Sequence, residues 1–319
     1  MESPRRRGKP GHGLPGNLPP LTRYNLLMAR TKNGRRIALL SGVVVIAVIA
    51  PLVWANWERI RFFVQFESLG KNVQGYREYR QRQTGIVFVS LPGGEFEMGT
   101  SKEDAERILE DVVKKFHLDD AHKKSIAKPL SHEALHKVTL SPFLIAKYEV
   151  SQAEWERVME ENPSHFKGDD LPVGLSWQQC QKFCAKTGLL LPTEAQWEYS
   201  CRGGTVGDFA GEIVEIGWCA SNLKKTYPVG QKKPNAFGLH DMHGNVSEWC
   251  QDVYLDKFYR LPQALGLDPV CHLRDGDHVV RGGNRNYHAW LCRSAWREPG
   301  EKRGGDRDLT GFRPAWSWP

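Results

Sequence analysis

Past residue 36 this 319-residue chain has no surplus of positive charge. The formal net charge is +7, yet residues 1–36 hold nine Lys/Arg (Arg5, Arg6, Arg7, Lys9, Arg23, Arg30, Lys32, Arg35, Arg36) against one acid, Glu2, a local sum of +8. The remaining residues therefore carry −1. A body of that charge offers phosphate no general attraction, which excludes a nucleic-acid partner. Internal repeats are absent too, so the chain is no repeat array. Charge is missing altogether from residues 37–57, IALLSGVVVIAVIAPLVWANW. At about 1.5 Å per residue, a helix of that length reaches about 30 Å, the hydrocarbon thickness of a bilayer. The run lacks the periodicity of an amphipathic core helix, and Pro51 is compatible with a kinked span.

Positive charge before the run, and Trp54 and Trp57 at its far end, predict a cytoplasmic tail (1–36), a transmembrane signal-anchor from Ile37 to Trp57 and an extracytoplasmic domain. A start at Met28 would make MARTKNGRR the n-region of a signal peptide cleaved after Val53-Trp54-Ala55. Both readings export the domain, and the uncleaved anchor is preferred. Export permits disulfides. The cysteines are Cys180, Cys184, Cys201, Cys219, Cys250, Cys271 and Cys292, and an odd count leaves at least one thiol unpaired within the chain.

Residues 58–84 read as a charged juxtamembrane connector. From Gly85 the chain becomes short elements between turn residues. IVFVSL and EFEMG flank Pro92-Gly93-Gly94 as a strand pair. A helix follows, with Ile108, Leu109, Val112, Val113 and Phe116 at helical spacing and Ser101 as its cap, inside a helical insertion at 101–135. Three further helices start on capping boxes: Ser151 with Glu154, Ser176 with Gln179, Thr193 with Gln196. The expected fold is one loop-rich α+β domain, 85–319, with short helices.

Four groups of residues carry candidate chemistry. His132 to His136 spells HExxH, but Pro129 before it and the strand-like HKVTLSPF after it deny the motif its helix, and it is read as chance. Cys180 and Cys184 share a helix face with Trp177 and Phe183, a buried stripe more than a metal site. Asp241 and Glu248 flank Gly244-Asn245. Carboxylates and carbonyls on a turn suit calcium, although spacing alone favours two surface acids around a turn. The fourth group, residues 281–299, RGGNRNYHAWLCRSAWREP, surrounds Cys292 with aromatic, amide and guanidinium groups. A reactive thiol needs a base, a metal or a second thiol, and a structural bridge is the alternative.

Seven segments resemble the formylglycine-generating enzyme family, also called sulfatase-modifying factor domains: FVSLPGGEFEMG, HKVTLSPFLIAKYEVSQAEW, LPVGLSWQQCQKFC, LLLPTEAQWEYSCRGG, YPVGQKKPNAFGLHDMHGNVSEWC, VVRGGNRNYHAWLCRSAWR and LTGFRP. They stand in family order from about Gly85 to Trp316. The resemblance implies a C-type-lectin-related α+β fold. Catalytic members oxidise a sulfatase cysteine to formylglycine with oxygen and a copper(I) held by two cysteines five apart. Counted forward from Gly282-Gly283, those positions fall on Tyr287 and Cys292. Counted back from the Cys-x-x-x-x-Arg end, Cys292 matches instead a structural cysteine that bridges to Cys201, and this register is preferred because Cys201 is present. Either way the copper pair is incomplete, and one thiolate does not make a copper(I) site.

The resemblance also implies a calcium ion on Asp241, the carbonyls of Gly244 and Val246, and Glu248. A second family calcium site matches only at Asn222 and Leu223, and the family bridge from the Cys184 position is lost at Pro314. The expected function is a non-catalytic module that binds an extracytoplasmic protein or small ligand through Asn284, Tyr287, His288, Trp290, Trp296 and Arg297, with about half of these buried. Structural calcium is expected and copper is not. The competing class is a formylglycine-generating or divergent oxidase, with Cys292 as its catalytic candidate. Iron-dependent sulfoxide synthesis would need a histidine-rich helical domain that the sequence lacks.

Overall fold

A computed structural model describes residues 57–219, 226–300 and 309–318, without the side chain of Glu58. The expected span lies outside these residues except for Trp57, and so do Asn222 and Leu223. No helix among the described residues is long and apolar enough to cross a membrane.

The helices begin where local chemistry tells them to. After α1 (Trp57–Gln65), α2 (Lys102–Phe116) opens on Ser101, whose hydroxyl accepts from the Asp104 amide, and α3 (Asp120–Leu130) opens on Asp119 in the same way. The three capping boxes are all formed, at the starts of α4 (Gln152–Met159), α5 (Trp177–Thr187) and α6 (Glu194–Arg202). Each box satisfies amides that the first turn leaves without partners.

Among the described residues, four sheets complete an α+β fold. The largest has the order β1 (Phe66–Lys71), β2 (Arg77–Gln81), β3 (Val87–Leu91), β6 (Phe143–Ala146), β14 (Ala315–Ser317). A second takes β10 (Gly266–Leu267), β5 (His136–Leu140) and β4 (Gly94–Met98); a third takes β12 (Arg297–Gly300), β11 (His278–Arg281), β9 (Ser247–Val253) and β13 (Thr310–Gly311). The last pairs β7 (Gly217–Trp218) with β8 (His243–Gly244).

Two expectations are corrected here. IVFVSL and EFEMG are strands, β3 and β4, but they do not pair: β3 lies between β2 and β6, while β4 pairs with β5. Gly93 (φ +67°) and Gly94 (φ +114°) pass the chain from one sheet to the other, and a Cβ on Gly93 would collide with the Leu140 carbonyl. Residues 58–84, expected as a connector, supply most of α1 and all of β1 and β2. Phe62 and Phe66 are buried against Trp316, with ring centroids 5.1 and 5.7 Å away. The charged residues around them hid that apolar pair.

Strand alternation puts one core on each face of the large sheet. Phe88, Leu144 and Ala146 join Trp155, Phe183 and Phe312 on one side; Val89, Phe143 and Ile145 join Trp197 and Cys201 on the other. Cys180 and Cys184 pack in the first core, where burial raises both thiols, Cys184 to about 12. A third, small core of Ile108, Val112 and Leu130 belongs to α2 and α3, with Trp290 packed against it.

Buried ion pairs tie these parts together. From α6, Glu194 takes two hydrogen bonds from Arg297 at 2.7 and 2.9 Å, and Glu198 takes Arg202 and Arg281. Burial alone would raise Glu198, but Arg202 and Arg281 outweigh it and hold the carboxyl below its ordinary range. Arg293 forks onto Glu133 at 3.0–3.1 Å, which answers the HExxH question: Glu133 is an ion-pair partner, His132 bonds the Tyr254 hydroxyl at 3.0 Å, and His136 opens β5. Glu194→Ala would strand Arg297, and we expect a loss of about 3–5 kcal/mol, read as an earlier urea midpoint, with much of it recovered when Arg297→Met is added.

Candidate functional site

Residues 281–299 form a long excursion between two paired strands. β11 and β12 run antiparallel with Arg281 opposite Arg297. Between them, Gly282 (φ +84°) and Gly283 (φ +64°) turn the chain, and a 3-10 turn at Ala289–Cys292 brings it back. Gly283 is required for packing as well as for its angle. A Cβ there would lie 2.6 Å from the Leu291 carbonyl and 2.8 Å from Cys292 Sγ.

The six expected contact residues divide evenly. Asn284, Trp296 and Arg297 are buried, so they build the frame instead of a surface. Arg297 is committed to Glu194, and Asn284 Oδ1 accepts from the Asn286 amide at 3.0 Å. Tyr287, His288 and Trp290 reach solvent. The His288 ring lies 4.6 Å from Phe116 on α2, and Trp290 packs edge-on to Trp296 at 5.3 Å. Phe116, His288 and Trp290, together with Ile108, Val112 and Asp208, line a cleft of about 250 Å³. Arg107 at its rim is already paired with Asp104 and Asp208. The cleft is thus aromatic at its base and charge-balanced at its edge, and Cys292 is not among its lining residues.

All seven cysteines are free thiols. Cys201 Sγ lies 3.6 Å from the Met242 carbonyl and 3.7 Å from His243 Nε2. His243 Nδ1 lies 2.8 Å from the Cys292 carbonyl, and its Nε2 accepts from the Ala210 amide, a pattern that fits the neutral ring; burial lowers its pKa to about 4. Cys292 Sγ is 3.8 Å from the Asn284 carbonyl, and the Cys219 thiol is its neighbour. This contact holds Cys219 below the ordinary thiol range and pushes Cys292 well above it, with burial adding to the rise. Beside them, the Tyr287 hydroxyl donates to Glu298 at 3.3 Å, and burial raises that carboxyl to about 7.

The turn at Asp241–Glu248 is more acidic than its sequence suggested, because Glu149 joins it. Burial, Asp241 and Glu248 together push Glu149 far above its ordinary range. Its two oxygens accept from the Val246 amide at 3.1 Å and from Asn245 Nδ2 at 2.6 Å. Asp241 Oδ2 accepts from the Gly230 amide at 2.6 Å, while its buried Oδ1 has no hydrogen-bond partner among the described residues. Trp218 Nε1 is close to Asp241 without closing a bond to Oδ1. Glu248 is held by Arg313 at 2.7 Å on each oxygen and by Trp197 Nε1 at 2.7 Å. Among the described residues, no group of three or more His, Cys, Asp or Glu is arranged to hold a metal ion; the implied calcium set contains just two such side chains. Sequence reasoning missed Glu149, Cys219 and Glu298. Each acts across a long loop, and no local spacing announces it.

The profile of the sulfatase-modifying factor enzyme 1-like domain matches residues 74–318. A formylglycine-generating enzyme of Streptomyces coelicolor is 26% identical over 64% of this chain and 80% of its own length. The chaperone protein LppX of Paenibacillus barcinonensis is 32% identical, over 35% of this chain and 63% of its own length. Among solved structures, PvdO from Pseudomonas aeruginosa superposes with a TM-score of 0.61 at 24% identity, over 75% of this chain and 97% of that one. It shares the fold.

The thiol geometry generates a test. Mild oxidation of the native protein by a small-molecule disulfide is expected to link Cys219 to Cys292, neighbouring thiols of which Cys219 deprotonates first. Peptide mapping without reduction reads the result. A Cys201–Cys292 peptide in its place would restore the bridge implied by the family resemblance.

Proposed function

Because the chain belongs to the sulfatase-modifying factor enzyme 1-like family, we propose that it is a membrane-anchored, extracytoplasmic binding member of that family, without the copper oxidase activity. The supporting observation is a separation. The exposed His288 and the half-buried Trp290 line the cleft with α2, while Cys292 is buried outside its lining. Tyr287 stands five residues before Cys292. Its hydroxyl is tied to Glu298 and its pKa is raised by burial, so it is a protonated, hard oxygen where the family pair would need a thiolate.

One observation favours the oxidase alternative. Cys219 brings a second thiol to Cys292 from another part of the chain, and two thiolates are a donor pair that selects copper(I). In that reading Cys219 and Cys292 would hold the metal, and the metal would supply oxygen activation. Titration of the reduced protein with copper(I), followed by oxygen uptake in the presence of a cysteine-bearing sulfatase-type peptide, separates the two. The binding reading expects no peptide-dependent uptake. It also expects photo-cross-linking from α2 in intact cells to capture a discrete partner, with capture lost in His288→Ala and the melting temperature almost unchanged. Uptake that disappears in a folded Cys292→Ser variant would establish the oxidase.

For the calcium, the residues present fit the ion. Glu149, Asp241 and Glu248 face a single guanidinium, Arg313, and Asp241 Oδ1 is an unused buried acceptor. Asp241, the carbonyls of Gly244 and Val246, and Glu248 would hold it, and its charge would offset the local excess of carboxylate. Burial raises Asp241 from 3.8 to about 6. The folded state therefore keeps that proton longer than the unfolded state, and without calcium this carboxyl's contribution to stability falls as pH rises through that window. Calcium competes with the same proton. It is expected to raise the melting temperature more at pH 7 than at pH 5, and Asp241→Asn is expected to remove that response. Equal melting with calcium and with chelator at pH 7 would exclude the site.

A further inference from the structure

α1 packs on the domain with one face and leaves the other uncovered. Phe62 is 1% exposed, stacked on Phe66 at 4.9 Å and set against Trp316 and Trp318. Arg61 and Gln65 lean over Gly188 at the end of α5: a Cβ on that glycine would lie 3.0 Å from the Arg61 guanidinium and 3.7 Å from Gln65 Nε2. The opposite face carries Trp57, Ile60, Phe63 and Val64, exposed by 53%, 39%, 65% and 67%. At about 100° per residue, those four side chains fall within about 120° of arc, centred opposite Phe62. Large apolar groups concentrated on one helical face mark a contact surface more than scattered exposure does.

We propose that this face of α1 lies on the phospholipid bilayer and holds the domain against the membrane. Three observations select lipid as the occupant. The described part of α1 takes up at Trp57, the last residue of the uncharged 21-residue run, so the anchor reading delivers α1 to the membrane surface. The apolar arc is flanked by the exposed Arg59, a cation that suits anionic headgroups. Trp57 stands at the boundary, where an indole can remain half in water. The surface rests on the anchor reading, and it replaces a free tether with a fixed orientation: α1 beneath, and the body of the domain away from the lipid.

The full chain is reconstituted into liposomes containing phosphatidylglycerol, with a photoreactive phenylalanine analogue placed at residue 60, 61, 63, 64 or 65 in turn. Flotation first reports incorporation. The proposal expects lipid adducts from positions 60, 63 and 64 and their loss at 61 and 65, a helical pattern that mere proximity to an anchor would not produce. Adducts at all five positions would mean an untethered neighbourhood and would overturn it. So would adducts from residue 63 to a second copy, or to residues 37–56 of the same chain. Liposomes that float with the protein but give no lipid adduct remove the surface contact and leave the anchor standing. Failure to float removes both.

Discussion

Buried arginine–glutamate pairs set the geometry on which the rest of this protein depends. Arg281, Arg293, Arg297 and Arg313 are all but fully enclosed, and each has a glutamate. Two of those glutamates, Glu194 and Glu198, are one turn apart on α6, so a single helix clamps both β11 and β12. A third pair joins the loop to the turn ahead of β5, and a fourth closes the acidic turn. Such pairs add less net stability than apolar packing of the same volume, because each charge must leave water. They are demanding about position, however. A fork of two hydrogen bonds accepts few alternative registers, and the long excursion between β11 and β12 needs that constraint.

Within this frame, thiol and cleft are kept apart. The loop turns its sulfur inward, toward Cys219, and its imidazole and one indole outward, toward α2. Gly283 makes the inward turn possible, since its backbone rests on Leu291 and on the sulfur itself. A loop arranged in this way can change its outward residues while its anchoring interactions remain as they are. Fold membership therefore says less about this protein's activity than the direction of a few side chains does.

The legibility of the sequence followed the range of the interactions. Helix starts were readable because a cap and its third residue are neighbours: Ser101, Ser151, Ser176 and Thr193 act as the pattern predicts. HExxH could be set aside for the same reason, since its flanks deny it a helix. The Pro92-Gly93-Gly94 turn misled because a hairpin turn and a crossing between sheets look alike locally. Trp296 and Arg297 looked like surface groups because the partner of Arg297, Glu194, is about 100 residues away. The Cys219–Cys292 contact and the third carboxylate, Glu149, were invisible for that reason too. Within the acidic turn, the ligands implied by family likeness could be named from sequence, but the guanidinium that shares Glu248 with them could not.

The helical insertion has its own small core, Ile108, Val112 and Leu130, separate from the two that flank the large sheet. A subunit of structure with so little buried area opens at a lower free-energy cost than the whole domain. One wall of the cleft belongs to that subunit and the other to the ion-paired frame. In the binding reading, a molecule seated in the cleft would touch α2 and the frame together, so local opening of the insertion would compete with its retention. Residence time would then be a property that mutation adjusts from α2 and α3, apart from the ion pairs of the frame.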